Sequence, residues 1–157
     1  MSAVEEGMDV DDLYQASAAR MLTTAWMLLG SRHAAEDAVQ EAFAKLAARD
    51  TSAVREPEAY LRTVVVNECR SVMRRRRHQA GDPVSDGIHL DRSDLEMREA
   101  LARLSPRRRT VVVLRFYEDL KVDDIAALLG CRPGTVSSLL HRALKDLREV
   151  VDHDDER

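Results

Sequence analysis

Val122-Asp-Asp-Ile-Ala-Ala-Leu-Leu-Gly-Cys-Arg-Pro-Gly-Thr-Val-Ser-Ser-Leu-Leu-His141 is the stretch that decides the fold. Its apolar residues recur at helical spacing on both sides of a break at Gly130. Two helices that cross steeply need a small residue at their closest approach, and Ala126 stands there. The turn between them needs positive φ, and Gly130 follows four residues later. Val136, Leu139 and Leu140 form the ridge that the second helix buries against Ile125 and Leu129. Asp123 and Asp124 sit at the positive end of the first helix. Lys121 stands at the cap position of that helix, where lysine caps poorly. Pro133 and Gly134 open the second helix. Its outer side carries Thr135, Ser137, Ser138, His141, Arg142 and Lys145, the polar and partly basic face of a major-groove reader. Arg132, Arg142, Lys145 and Arg148 would supply phosphate contacts, with Arg107 to Arg109 and Arg115 as further cations. A plain αα-hairpin is the structural alternative.

Upstream, Ser105-Pro106 reads as a cap and first helical residue, with a helix to about residue 117. Ser93-Asp-Leu-Glu96 reads as a capping box opening a helix through Leu104. Downstream, the last helix should run to about residue 150, and the DHDDER tail should fray. Residues 79–92, QAGDPVSDGIHLDR, are rich in glycine, proline and acidic breakers and mark a linker.

Before the linker the period is again helical. Asp11 or Asp12 can cap a helix to Leu29 that turns Leu13, Ala16, Leu22, Ala25, Trp26 and Leu29 inward, with Gly30 ending it. Ser31 caps a second helix to about residue 48, burying Ala35, Ala38, Val39, Ala42, Phe43 and Leu46. Pro57 starts a third helix carrying Tyr60, Leu61, Val64, Val65 and Val72. It ends in Arg74, Arg75, Arg76, Arg77 and His78. Phe43 and Tyr60 read as core. The fold class is all-α: two small helical domains, residues 11–78 and 93–151, joined by a flexible linker.

The chain has 157 residues and a net charge of −4. Acidic proteins repel polyanions, so the average argues against nucleic acid. The distribution argues the other way. Residues 1–50 carry 4 basic and 9 acidic side chains, and 51–78 carry 7 and 3. Residues 79–100 carry 2 and 6, residues 101–148 carry 10 and 5, and 149–157 carry 1 and 5. Two basic blocks are therefore set among acidic ones, which fits two separate polyanion contacts.

Four consecutive arginines exceed what a helix C-terminus needs, so they point to phosphate binding. Asn67, Arg70, Ser71 and Arg74 form one polar stripe before them, and Asn and Arg can contact base edges bidentately. Asp37, Gln40 and Glu41 share a face of the second helix at i, i+3 and i+4, a docking face for a basic partner helix. With His33 they could also suggest a metal enzyme, but no third ligand is spaced for it. Aromatics at 4% disfavour a β-sandwich or barrel. Cys69 and Cys131 have no metal or redox spacing and read as structural. No apolar run reaches a membrane span, and the acidic start is no signal peptide, so a cytoplasmic protein is expected.

On these residues the chain resembles an extracytoplasmic-function (ECF) sigma factor of the sigma-70 family, from about Asp11 to Val151. The motif DAVQEAF, Asp37 to Phe43, is similar to region 2.2, implying that Asp37, Gln40 and Glu41 bind the β′ clamp helices of core RNA polymerase. VVVNECRSVMRRRR resembles regions 2.3 and 2.4, implying that Asn67, Arg70, Ser71, Arg74, Arg75, Arg76 and Arg77 read and melt the minus-ten element. The resemblance makes residues 49–56 the loop that accepts a flipped base. ALARLSPRRRTVVVLRFYEDL is similar to region 4.1. The helix-turn-helix resembles region 4.2, implying minus-thirty-five recognition by Arg132, Thr135, Ser137, Ser138, His141, Arg142 and Lys145, and contact with the β flap. Ser137 and Leu139 stand where the family often has basic residues. LSPRRRTVVVLRFYEDL is closest to the actinobacterial SigE-family subgroup. The resemblance implies promoter DNA and core polymerase as partners, an anti-sigma protein as a regulator, no cofactor, no metal and no enzymatic activity. It also places the chain on the nucleoid when polymerase-bound. A free-standing helix-turn-helix regulator, binding DNA alone as a dimer, is the rival from another class.

Overall fold

A computed structural model describes residues 9–51, 53–76 and 92–155. The described residues are helical with no strand, and the chain divides into two compact units, residues 1–86 and 87–157. The expected linker falls almost wholly outside the described residues, as do Arg77 and His78.

The first unit holds α1 (Val10–Leu29), α2 (Arg32–Ala47) and α3 (Pro57–Arg76), each packed on the other two. The cap of α1 is Asp9 rather than Asp11 or Asp12, its carboxylate accepting from the Asp11 amide at 2.9 Å. Gly30 ends α1 at φ 73°, and its amide donates to the Trp26 carbonyl at 2.8 Å. Ser31 Oγ then accepts from the Ala34 amide at 3.2 Å and starts α2 at once.

All six inward residues expected on α2 are buried. On α1 the inner face is displaced: Ser17 and Met21 are buried, whereas Ala16 is exposed and Leu22 half-buried. Its last residues, Thr24 to Leu29, are buried on every side; α1 packs on both α2 and α3, and Arg76 of α3 reaches Leu29. On α3 the buried set is Leu61, Val65, Val66, Cys69 and Met73, with Val64 and Val72 only half-buried. Tyr14 meets Phe43 edge-on, 5.0 Å between centroids, and closes the outer end of the α1/α2 seam.

The second unit holds α4 (Arg92–Ala102), α5 (Pro106–Val112), a π-helical turn (Val113–Tyr117), α6 (Val122–Leu129) and α7 (Pro133–Asp155). Ser93 lies inside α4, which starts at Arg92, so the capping-box pattern does not cap it. An Arg92–Glu96 ion pair at 3.3 Å supports that first turn. α4 also stops at Ala102, two residues short of Leu104. Ser105 does cap α5, its Oγ accepting from the Arg108 amide at 3.4 Å, with Pro106 at the first helical position.

α5 runs into the π-helical turn, a feature with no signature in the residues themselves. Just past the turn Asp119 adopts φ 54°, a conformation Asp tolerates better than most residues. The terminal helix continues to Asp155 through the segment expected to fray.

Candidate nucleic-acid and docking faces

The α6–α7 pair makes the crossing that its sequence calls for. Ala126, Ile125 and Val136 are buried, and Gly130 turns the chain at φ 68°. The Cys131 amide donates to the Ala126 carbonyl at 3.0 Å, closing the turn. A Cβ added at Gly130 would meet no atom within 4 Å, so the backbone angle, not space, requires glycine. Lys121 gives α6 no side-chain cap, as its residue type implies.

On α7, Ser137, Ser138, His141, Arg142 and Lys145 are exposed and Thr135 is half-exposed, with Arg132 exposed just before the helix. They stand opposite the buried Val136, Leu140 and Ala143. These side chains thus share one helix surface.

The further cations of this unit have other employment. Arg108 pairs with Asp146 of α7 at 2.6 Å. Arg109 caps the end of α4, donating to the carbonyls of Leu101 at 2.9 Å and Leu104 at 3.0 Å. Arg115 lies 3.8 Å from Asp119 and 5.7 Å from the Phe116 ring centroid. Only Arg107 of the 107–109 run stands exposed.

The same division appears in the first unit. Arg74 and Arg75 are exposed, but Arg76 turns inward and donates to the Leu29 carbonyl at 2.7 Å. It satisfies an orphan acceptor at the end of α1, and burial lowers its pKa from the usual guanidinium value. Charge alone groups Arg76 with the phosphate-binding arginines, but here it joins two helices. The stripe before it is internally linked: Arg70 donates to Asn67 Oδ1 at 3.4 Å and Arg74 to Ser71 Oγ at 3.3 Å.

Asn67 also lines a cleft of about 230 Å³ between α2 and α3, with Lys45, Leu46, Arg49, Tyr60, Thr63, Val64 and Glu68. Its floor is apolar, from Leu46 and Val64. Its lips are polar: Arg49 donates to the Tyr60 hydroxyl at 2.7 Å, and Lys45 pairs with Glu68. Tyr60 is therefore not core but half-buried at this lip. Lys45, Tyr60 and Glu68 were not singled out as site residues. The signal was present as Lys45 and Arg49 four apart, facing Tyr60, Asn67 and Glu68 seven and eight apart.

On the opposite side of α2 from its buried residues, Asp37, Gln40 and Glu41 are exposed together. His33 lies 3.4 Å from Asp37 one turn earlier. Among the described residues no group of three or more His, Cys, Asp or Glu is placed to hold a metal ion, and no helix is long and apolar enough to cross a membrane. Cys69 is fully buried, and burial pushes its thiol from an ordinary 9.0 up to about 12, while Cys131 is half-buried.

Two family descriptions match the chain: Sigma-70 region 2 over residues 13–79, and Sigma-70, region 4 over residues 94–147. The RNA polymerase sigma-E factor of Streptomyces coelicolor is 37% identical over 128 residues, covering 74% of this chain and 71% of that protein. The ECF RNA polymerase sigma factor SigL of Mycobacterium tuberculosis is 32% identical and covers 94% of this chain and 91% of its own length. Among solved structures, the sigma factor RpoE of Bartonella quintana, crystallised with the anti-sigma factor NepR, aligns with TM-score 0.71 and 27% identity. The match covers 90% of this chain and 96% of that one.

Proposed function

This chain belongs to the sigma-70 family, in its extracytoplasmic-function branch, and from that premise we propose how its residues divide the work of an alternative sigma factor, which binds core RNA polymerase and directs promoter-specific initiation. Residues 11–78 act as the docking and minus-ten domain, residues 79–92 as the tether, and residues 93–151 as the minus-thirty-five domain. Asp37, Gln40 and Glu41 dock on the β′ clamp helices, supported by their joint exposure on one face of α2. Arg74, Arg75 and Arg77 hold phosphates beside the minus-ten element, while Asn67, Arg70 and Ser71 meet base edges. Arg76 serves that surface by fixing the end of α3 to α1.

The observation that carries the reading is the α2/α3 cleft with Asn67 on its rim. An apolar floor between polar lips suits one unstacked base. Extruding a base costs a few kcal/mol, and stacking it on protein returns about 1–3 kcal/mol, so capture favours the melted strand. Arg132, Thr135, Ser137, Ser138, His141, Arg142 and Lys145 present α7 to the major groove upstream. The tether raises the effective concentration of the second contact once the first is made. The chain supplies binding energy and no covalent chemistry of its own, works in the cytoplasm and sits on the nucleoid with polymerase. An anti-sigma protein that covers the docking faces regulates it, a reading supported by the RpoE relative solved with NepR.

Run-off transcription with purified core polymerase tests this. A specific start that requires both proteins is expected, and no core-dependent initiation from any promoter fragment would overturn it.

A further inference from the structure

The two cations on the α2 side of the cleft are held differently. Arg49 donates to a phenol, which carries no charge, so its positive charge stays available to a phosphate. Lys45 is held by Glu68, a carboxylate whose side chain is only 13% exposed, against 51% for Lys45. The pair spans the cleft from α2 to α3, next to Asn67. A carboxylate on a surface meant for a polyanion is unfavourable unless neutralised.

Resting on the base-capture reading above, we propose that Lys45 is a further DNA-contacting residue whose charge Glu68 withholds in the free chain. A strand entering the cleft alone must either leave Lys45 with Glu68, and forgo a phosphate contact, or take Lys45 and leave Glu68 bare beside its own phosphates. Both courses weaken binding by the free protein. Core polymerase holds the melted strand at the cleft and supplies the concentration that overcomes this. The pair therefore ties strand capture to docking, and it does so within the cleft itself rather than through the chain's average charge.

The test uses the full-length chain and a fluorescein-labelled single-stranded oligonucleotide carrying the non-template minus-ten sequence. Glu68→Gln keeps the shape of the side chain and frees Lys45. It should bind more tightly than wild type, with one more phosphate contact in the salt dependence. The logarithmic slope against salt steepens by about 0.7, so the gain shrinks roughly two- to three-fold between 50 and 200 mM salt. The double variant K45Q/E68Q, with the wild-type net charge, should lose the gain.

No gain in Glu68→Gln overturns the proposal, as does a gain that survives in the double variant. If circular dichroism shows Glu68→Gln unfolded, Lys45→Gln reads the pair from the other side. Baring Glu68 should weaken binding, and unchanged affinity overturns the proposal. Asn67→Ala in the holoenzyme reports separately on base capture: if it leaves promoter opening unchanged, the reading beneath has failed rather than the role of the pair.

Discussion

Both units of the chain spend one arginine of a basic run on their own backbone. In the first unit Arg76 reaches the Leu29 carbonyl, and in the second Arg109 reaches those of Leu101 and Leu104. What differs is the surface each builds. The first makes a cleft, with an apolar floor and hydrogen-bonded lips, suited to a base that has left the duplex. The second makes a convex helix surface of small hydroxyls and cations, suited to a groove that stays paired. Beneath them each unit has a run buried on every side, Thr24 to Leu29 in the first and Thr110 to Leu114 in the second. In the proposed division of work, melting and duplex reading fall to different geometries, and a basic run by itself does not say which arginines face outward.

The largest effect should come from the docking face. Reversing charge with Asp37→Lys and Glu41→Lys together should cost core binding at least about a hundredfold, several charge-assisted contacts' worth. Native circular dichroism should not change, because both side chains are exposed. Retained polymerase binding in a pull-down would break the division of labour. Next comes the core of the second unit. Ile125→Ala should destabilise the second unit by about 2–5 kcal/mol in denaturant unfolding, since its side chain is fully buried.

Arg76→Ala and Arg74→Ala sharpen the comparison most. The first should lower stability by about 1–3 kcal/mol, because it leaves a part-buried carbonyl without its charged donor. The second should leave stability near wild type and reduce the salt dependence of promoter binding by the holoenzyme by one contact. Interchanged results would mean that the inward and outward arginines have been confused. Gly130→Ala should cost about 1–2 kcal/mol through its positive φ alone.

The effect of Cys69 is confined to alkaline pH. Its folded pKa is raised, so the folded chain resists ionisation that the unfolded chain permits. That contribution to stability is fully present below pH 9 and is lost as pH rises toward about 12. Chemical unfolding at pH 8 and pH 10.5 should show the loss in wild type and a smaller one in Cys69→Ala.

Much of this was legible in the residues. Gly30, Ser31, Pro57, Ser105, Pro106, Gly130 and the α2 stripe place breaks and faces through local backbone chemistry, which a sequence displays directly. The inner face of α1 was not legible, because Leu13, Ser17, Met21, Thr24 and Leu28 keep helical spacing but two of them are polar, so an apolar pattern alone does not mark the stripe. Ser93 has the pattern of a cap but lies inside α4, which already runs from Arg92. The π-helical turn and the inward arginines depend on which carbonyls lie near, a tertiary fact. The cleft was half legible: Asn67 and the 49–56 loop were singled out, but Lys45, Tyr60 and Glu68 became its lips only when α2 and α3 were laid side by side.

The central claim is that promoter recognition belongs to the complex and not to the chain alone. The direct measurement is fluorescence-anisotropy binding of promoter duplex at about 150 mM salt, with and without core polymerase. The account predicts weak, sequence-independent binding by the free chain that fades as salt rises, and tight promoter-specific binding once core is added. Tight, salt-resistant binding of the promoter by the free chain would contradict it.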